Sequence, residues 1–325
     1  MSRGRAGALP LLLLLLLLGA AGASGAEKGW VYLLPERGGE LLVLDDGGSV
    51  GTVRLGREGA TGIFPTPGGK YVFVTFPDAE VAVVDAEAQA LDRRFGLEQG
   101  APEQFLFSPS GDKAYVSLRG SSRVLVFSHQ RSRLELRGSL SLGIAGAPIT
   151  LNRRGTRLYR SSADGLDFYL ETTGETLRRV PLRGGAASWS FSPDYRFLWG
   201  VSLADGRLSV VDERSAKLAA EVDGAFAPFE PAATNDGAYL VAASRDRLEK
   251  IGARTFRPET SIELPGRARD LASPGTGDAV WLLVGEEIIE IDLGSGKEIR
   301  SVSPGVSIRD IAAVTLRPGE GYACF

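Results

Sequence analysis

A repeat of about 40 residues runs through most of the chain and limits its possible folds more than any other feature. Seven short aliphatic segments end at residues 45, 85, 128, 171, 212, 252 and 292, so successive copies lie 40 to 43 residues apart. A unit this short cannot bury its apolar face alone and must pack on its neighbours. The chain is therefore predicted to be a stack or a ring of like units.

Each repeat also contains a turn signature followed by an aromatic residue. Pro presets the first turn dihedral and Gly or Asn tolerates positive φ, so each signature indicates a tight turn between two strands. The turns fall at residues 67–69, 108–111, 152–155, 192–194, 235–237, 273–275 and 317–319, and the aromatic residues are Tyr71, Tyr115, Tyr159, Trp199, Tyr239, Trp281 and Tyr322. Four short strands in about 40 residues, with no stretch of helical period, are typical of a β-propeller blade.

The fold prediction is an all-β, seven-bladed propeller of four-stranded antiparallel blades, forming one domain over residues 27–325. Segments 30–34, 40–45 and 49–55 supply three strands of a blade, and segment 308–316 supplies an innermost strand. Pairing them in one sheet would close the ring, whereas a solenoid would need polar end caps. Segment 321–325 reads as a surplus aromatic strand, and its role as an edge extension or a tail stays open.

Two blades carry a family resemblance. Segment 107–117 reads FSPSGDKAYVS and is followed by the aliphatic segment 124–127, and segment 66–75 reads TPGGKYVFVT and is followed by segment 81–85. Both resemble the YVTN-type β-propeller repeat, and the resemblance extends over residues 30–320. It implies a secreted or periplasmic surface protein and leaves the activity open, because this fold serves many functions.

The N-terminus predicts export. Arg3 and Arg5 precede an apolar run over residues 11–18, and small residues suitable for cleavage after Ala23 or Ala26 follow. This pattern is that of a signal peptide over residues 1–26. The run is too short for a bilayer span of about 20 residues. We therefore expect a secreted or periplasmic protein with no transmembrane segment.

The composition excludes several kinds of metal and catalytic site. The 325 residues include one His, one Met (Met1) and one Cys (Cys324), which excludes zinc sites built from Cys or His and iron–sulfur clusters. His129 is predicted to lie in a polar turn between outer strands, remote from the channel, so a Ser-His-Asp triad is also excluded. No cofactor is predicted; a structural calcium stays open, because calcium needs only oxygen ligands. A net charge of −3 without a basic stripe does not support nucleic-acid binding.

Four aspartates recur at one blade position, namely Asp45, Asp85, Asp212 and Asp292. Asp at a strand end usually accepts hydrogen bonds from the following turn, so we expect turn caps rather than a ring of catalytic carboxylates. The recurrent aromatic residues are expected to pack between blades.

The predicted ligand-binding site is the rim where outer strands connect to the next inner strand. An Arg-Asp pair recurs there, and the corresponding connections add acidic, amide and aromatic side chains. The candidate residues are Arg269, Asp270, Arg309, Asp310, Glu103, Gln104, Trp189 and Glu230. Such a rim suits an anionic or peptide ligand, with mutual pairing of Arg and Asp as the alternative.

The sequence favours an exported, non-catalytic scaffold that binds a protein, a peptide or an envelope component, and we expect a monomer. One alternative is a hydrolase or lactonase that uses a metal or an Arg and Glu pair. Another is an accessory subunit of a periplasmic quinone- or haem-linked redox system, in which this chain would not carry the electron.

Overall fold

The protein consists of seven four-stranded sheets. The computed structural model describes residues 28–316, apart from residues 46, 144, 147, 228, 230, 235 and 274–278. Within this part of the chain there are 28 strands and no helix, and all strand pairs are antiparallel. The seven-bladed, all-β prediction is confirmed.

The strands follow one another in a regular order. Blade 1 takes β1 (Lys28–Pro35), β2 (Glu40–Asp45) and β3 (Val50–Arg54). Blade 2 has β4 (Gly62–Pro65), β5 (Tyr71–Thr75), β6 (Glu80–Asp85) and β7 (Ala90–Gly96), and blade 3 has β8 (Pro102–Phe107), β9 (Lys113–Leu118), β10 (Arg123–Gln130) and β11 (Arg133–Ser141). Blade 4 has β12 (Ile149–Leu151), β13 (Arg157–Ser162), β14 (Gly165–Leu170) and β15 (Thr176–Pro181), and blade 5 has β16 (Ala186–Phe191), β17 (Phe197–Ser202), β18 (Leu208–Asp212) and β19 (Lys217–Val222). Blade 6 has β20 (Ala232–Ala233), β21 (Tyr239–Ser244), β22 (Arg247–Gly252) and β23 (Pro258–Glu263), and blade 7 has β24 (Ala268–Ala272), β25 (Ala279–Val284), β26 (Glu287–Asp292) and β27 (Lys297–Val302). Strand β28 (Ile308–Leu316) completes blade 1.

Blade 1 closes the ring with strands from both ends of the described chain. Its spatial order is β28-β1-β2-β3, and β28 pairs antiparallel with β1 in a register that sets Tyr32 opposite Ala312. The predicted closure is therefore confirmed. Residues 1–26 and 321–325, on which the predicted signal peptide and surplus strand fall, lie outside the described residues.

The core is divided among the blade interfaces. Seven clusters of buried apolar side chains occur in the described structure, and each joins two neighbouring blades around the ring. Strand β5, for example, is buried along its whole length, because both of its faces are covered. The second strands of blades 3 to 7 are likewise buried along most of their length.

Polar clamps supplement the apolar interfaces on one side of the ring. Tyr115 and Lys113 of blade 3 donate hydrogen bonds to the buried Glu171 of blade 4, at 2.5 and 3.0 Å. Tyr159 of blade 4 makes the same contact with Glu213 of blade 5 at 2.7 Å. Burial first, and then the nearby carboxylate, raises the pKa of both tyrosines, so their hydroxyls stay protonated donors.

Short turns join the third and outer strands, and the predicted aspartate caps are present there. Asp45 Oδ1 accepts from the backbone N–H of Gly47 and Ser49 at 2.9 and 2.8 Å, and Asp292 Oδ1 accepts from Ser295 at 2.6 Å. The recurrent aspartates are therefore structural, as predicted.

Replacing Arg131 with Gly should stabilise the fold. Arg131 is exposed in the turn between β10 and β11 and has a φ of 56°, a left-handed conformation that costs an L-residue about 1–2 kcal/mol relative to glycine. Part of this gain is lost to the greater chain entropy of unfolded glycine, which leaves a net gain of about 0.5–1 kcal/mol. Urea unfolding measures it. Ser132→Gly in the same turn, where φ is not positive, is the control and should bring no gain.

Candidate functional site

A cavity of about 920 Å³ occupies one end of the central channel. It lies where the inner strands turn into the second strands, and every blade contributes to its wall. Its lining includes Pro65 and Thr66 of blade 2, Leu106 and Phe107 of blade 3, Thr150, Leu151 and Arg153 of blade 4, Ser190, Phe191 and Tyr195 of blade 5, Ala232 and Ala233 of blade 6, Leu271 and Ala272 of blade 7, and Ala312 to Thr315 of blade 1.

Small side chains on three adjacent blades make the cavity. Two positions of each inner strand are equivalent from blade to blade, because they pair with equivalent residues of the second strand. At the first of these positions, for example, Leu106 lies opposite Tyr115 in blade 3 and Ala272 lies opposite Trp281 in blade 7. From blade 2 to blade 7 and then blade 1, the first position holds Phe64, Leu106, Thr150, Ser190, Ala232, Ala272 and Ala312. The second holds Pro65, Phe107, Leu151, Phe191, Ala233, Ser273 and Ala313. Blades 6, 7 and 1 therefore leave open the space that larger side chains fill elsewhere.

The wall is apolar with scattered hydroxyl groups. Leu106, Phe107 and Phe191 supply much of the apolar surface, and Thr150 and Ser190 supply hydroxyls. Arg153 is the only charged side chain among the described lining residues, and its guanidinium lies 5.5 Å from the centre of the Tyr195 ring. This surface suits the binding of an apolar ligand. Its described residues include no carboxylate, His, Cys or Lys to act as an acid or base.

The predicted rim residues Asp270, Asp310 and Gln104 lie near the start of their inner strands, ahead of the residues that line the cavity. Asp270, Asp310 and Gln104 occupy the same position of β24, β28 and β8, each facing the next blade. Asp270 Oδ2 accepts from the N–H of Ile311 at 3.0 Å, and Asp310 Oδ2 accepts from the N–H of Ile63 at 3.2 Å. Gln104 binds both backbone groups of Ile149, at 2.8 and 3.1 Å. These side chains tie neighbouring inner strands together.

Asp270 and Asp310 also meet each other. Their carboxyl groups lie within hydrogen-bonding reach of each other, and each residue is half-buried overall. Burial is the main cause that raises the pKa of both, and the proximity of Asp270 raises the pKa of Asp310 further. The pair therefore retains a proton that isolated carboxylates would lose.

The arginines of the two Arg-Asp pairs turn away from their aspartates. Arg269 binds Glu36 at 3.1 Å and the Gly285 carbonyl at 3.2 Å, and Arg309 donates to the Glu36 carbonyl at 3.5 Å. Both arginines are exposed. The structure thus separates the arginines at the surface from the paired carboxyls in the channel wall.

The other predicted residues do not form one surface. Trp189 is 4% exposed and donates from Nε1 to Ser161 Oγ at 2.7 Å, and its indole packs on Gly200, where a Cβ would lie only 2.8 Å away. Glu103 is exposed and lies near the buried Arg160, whose pKa burial lowers. Glu230 lies outside the described residues. A ligand-binding role for the rim residues stays a prediction, and Trp189 sits in the core.

Sequence reasoning missed the cavity and misplaced His129. The alanines at 232, 272 and 312 were the available signal, but only the strand pairing shows that they share one level of the channel. His129 lies in β10 rather than in a turn; it is 2% exposed, with Nδ1 2.6 Å from the Gly111 carbonyl oxygen and rings of Phe73 and Phe107 beside it. Within the described residues, no group of three or more His, Cys, Asp or Glu side chains is placed to hold a metal ion.

Solved structures with the same fold are numerous. AztD from Citrobacter koseri is 12% identical, with a TM-score of 0.70 over 89% of this chain and 98% of that chain. The dihydro-heme d1 dehydrogenase NirN, solved in complex with DHE, is 12% identical, with a TM-score of 0.67 over 90% of this chain and 76% of its own. The hydrazine synthase of Kuenenia stuttgartiensis is 18% identical, with a TM-score of 0.61 over 72% and 77%. At these identities the likeness shows the fold alone.

No protein-family profile and no curated protein sequence matches the chain. The part of the chain that the structure describes contains no helix that could span a bilayer.

Proposed function

We propose that this chain is an exported, non-catalytic binding protein that takes an apolar ligand into the cavity at the turn end of its channel. The cavity itself carries the proposal. Its volume of about 920 Å³ lies within the range of ligand sites in proteins, roughly 300–1,000 Å³. The ligand is a small molecule or a side chain of a peptide or envelope component.

The chemistry of the wall supports binding over catalysis. The described wall offers hydroxyl groups but no base within it to activate them, and a hydroxyl at its ordinary pKa is a weak nucleophile. Export is supported by the predicted signal peptide at residues 1–26 and by the resemblance of segments 66–75 and 107–117 to secreted YVTN-type repeats.

Filling the cavity should abolish binding. In Ala233→Leu combined with Ala313→Leu, two half-buried residues acquire the side chain that Leu151 places at the same level of blade 4. The neutral fluorophore 1-N-phenylnaphthylamine should bind the wild type and lose at least about ten-fold in affinity for the variant, because the leucines take its volume. Fluorescence titration measures the affinity.

The matched control is Ala219→Leu, which adds the same group on the exposed face of β19. Circular dichroism and melting temperature should show that all variants are folded. Equal affinity of the cavity variant and the wild type, or no binding by the wild type, would contradict the proposed function.

A second candidate function, hydrolysis, is favoured by the Asp270–Asp310 pair. Two carboxyl groups that share a proton can act as acid and base in one reaction. Turnover of a panel of lactones by the purified protein, with and without EDTA, tests this candidate. Turnover that disappears in Asp310→Asn would replace the binding proposal by an enzymatic one.

A further inference from the structure

We propose that the ligand of the cavity is an apolar molecule with a single carboxylate, and that Arg153 at the edge of the cavity binds this carboxylate. The inference rests on the proposed function, since it specifies the chemistry of the same cavity. It concerns a residue that lies in a tight turn of blade 4, at the opposite end of the channel from the rim arginines Arg269 and Arg309.

The charge of the wall is the first argument. Arg153 provides the only formal charge among the described lining residues, so the cavity favours a ligand of opposite sign. Neither Asp270 nor Asp310 lines the cavity, whereas Ala272 and Ala312, two residues further along the same strands, do. A cationic ligand would meet repulsion at this end, whereas an anionic head group would meet its counter-charge.

The pairing of Arg153 is the second argument. Many arginines of the described structure bind a carboxylate, such as Arg157 with Glu213 at 2.6 Å and Arg300 with Glu290 at 2.6 Å. Within the described residues Arg153 has no ion pair, and its one contact of note is with the face of Tyr195. Stacking on an aromatic face leaves the N–H groups at the edge of the guanidinium directed outward. Those groups can bind a carboxylate in a bidentate manner.

The position of Tyr195 is the third argument. Tyr195 adopts a φ of 57°, an uncommon conformation for a bulky residue, in the turn that follows β16. Its N–H donates to the Ser192 carbonyl at 2.7 Å, and its ring lies 5.4 Å from that of Phe191. The turn therefore holds the ring at the edge of the apolar wall, where it positions the guanidinium between wall and solvent. A ligand with an apolar body and one carboxylate matches this order of surfaces.

Competition binding tests the inference. Decanoic acid, decanol and decylamine are compared as competitors of bound 1-N-phenylnaphthylamine at neutral pH, with wild type, Arg153→Gln and Arg154→Gln. Arg154 is the matched control, because it is exposed in the same turn and does not line the cavity. The wild type should prefer decanoate to decanol and to decylamine by about ten-fold, the usual effect of one charge-assisted hydrogen-bonded pair.

Arg153→Gln should lose this preference while it keeps the affinity for decanol, and Arg154→Gln should keep both. If the wild type binds decanoate and decanol equally, or if the two variants lose the preference equally, the role of Arg153 is overturned and ligand binding in the cavity stands. If none of the three competitors and not even the fluorophore binds, the proposed function itself fails.

Discussion

Asp310→Asn should make the protein more stable at neutral pH, by about 1–3 kcal/mol, because the folded wild type must retain a proton that the unfolded chain releases, and each tenfold difference in proton affinity is worth about 1.4 kcal/mol. The amide can keep the bond from the Ile63 N–H through its oxygen and donate through its nitrogen to Asp270, so the link between blades survives. Gln104 shows that an amide makes this link in blade 3. What disappears is the second carboxyl of a crowded pair.

The gain should depend on pH in a defined direction. The pKa of Asp310 is raised well above its ordinary value of 3.8 by burial and by Asp270, so the folded state binds the proton more tightly than the unfolded state. Wild-type stability therefore falls as pH rises from the unfolded pKa through the folded one, and the penalty is complete above it. The difference between variant and wild type should vanish in acid and grow towards neutral and alkaline pH.

Urea unfolding at a series of pH values measures this difference. Arg269 is the charged neighbour that opposes the shift at Asp270, and it is present in both proteins, so it cancels. Asp292→Asn is the control of opposite sign: hydrogen bonds from Ser295 lower the pKa of Asp292, so its removal should cost stability at neutral pH and cost nothing in acid. A pH-independent effect of Asp310→Asn would contradict the shared proton.

The pairing of Asp270 with Asp310 shows where sequence reasoning reaches its limit. The repeat spacing of 40 to 43 residues was enough to predict seven blades and the closure of blade 1, because like units of that length must pack in series. The recurrence of Arg-Asp also indicated a special position. Strand β24, however, has an irregular register between Ala268 and Asp270, and such a bulge redirects side chains. The sequence therefore placed Arg and Asp together at one rim, whereas the structure gives them different partners.

The aromatic residues show a second limit. Tyr71 and Tyr115 follow their turns in the sequence, but Thr66 pairs with Tyr71 across its turn as Ser108 pairs with Lys113. Tyr71 therefore matches Lys113, and Phe73 matches Tyr115. The two turns have the same length, so the sequence contained this correspondence, but only the strand pairing made it evident. The cavity was missed for the same reason, since its alanines become neighbours only when the blades are aligned by register.

Trp199→Ala should be the most damaging single substitution considered, with a loss of about 3–5 kcal/mol in unfolding free energy. Trp199 is 1% exposed and occupies the blade 5 position that matches Tyr115 in blade 3. Its ring lies 5.7 Å from that of Phe256 in the next blade, and Phe256 holds a φ of 52°, which is uncommon for a bulky residue. Removing the indole leaves a cavity between blades 5 and 6 and takes away the packing that stabilises this turn.

Trp199→Phe separates packing from hydrogen bonding. Nε1 of Trp199 is buried without a hydrogen-bond acceptor among the described residues, so the phenyl ring loses volume but no polar contact, and blade 2 already accommodates Phe73 at this position. Its cost should be less than half that of Trp199→Ala. Urea unfolding measures both, with Tyr115→Phe as a comparison in which the donor to buried Glu171 is lost, at about 1–3 kcal/mol. Equal costs for the two Trp199 variants would contradict packing between blades as the main source of this stability.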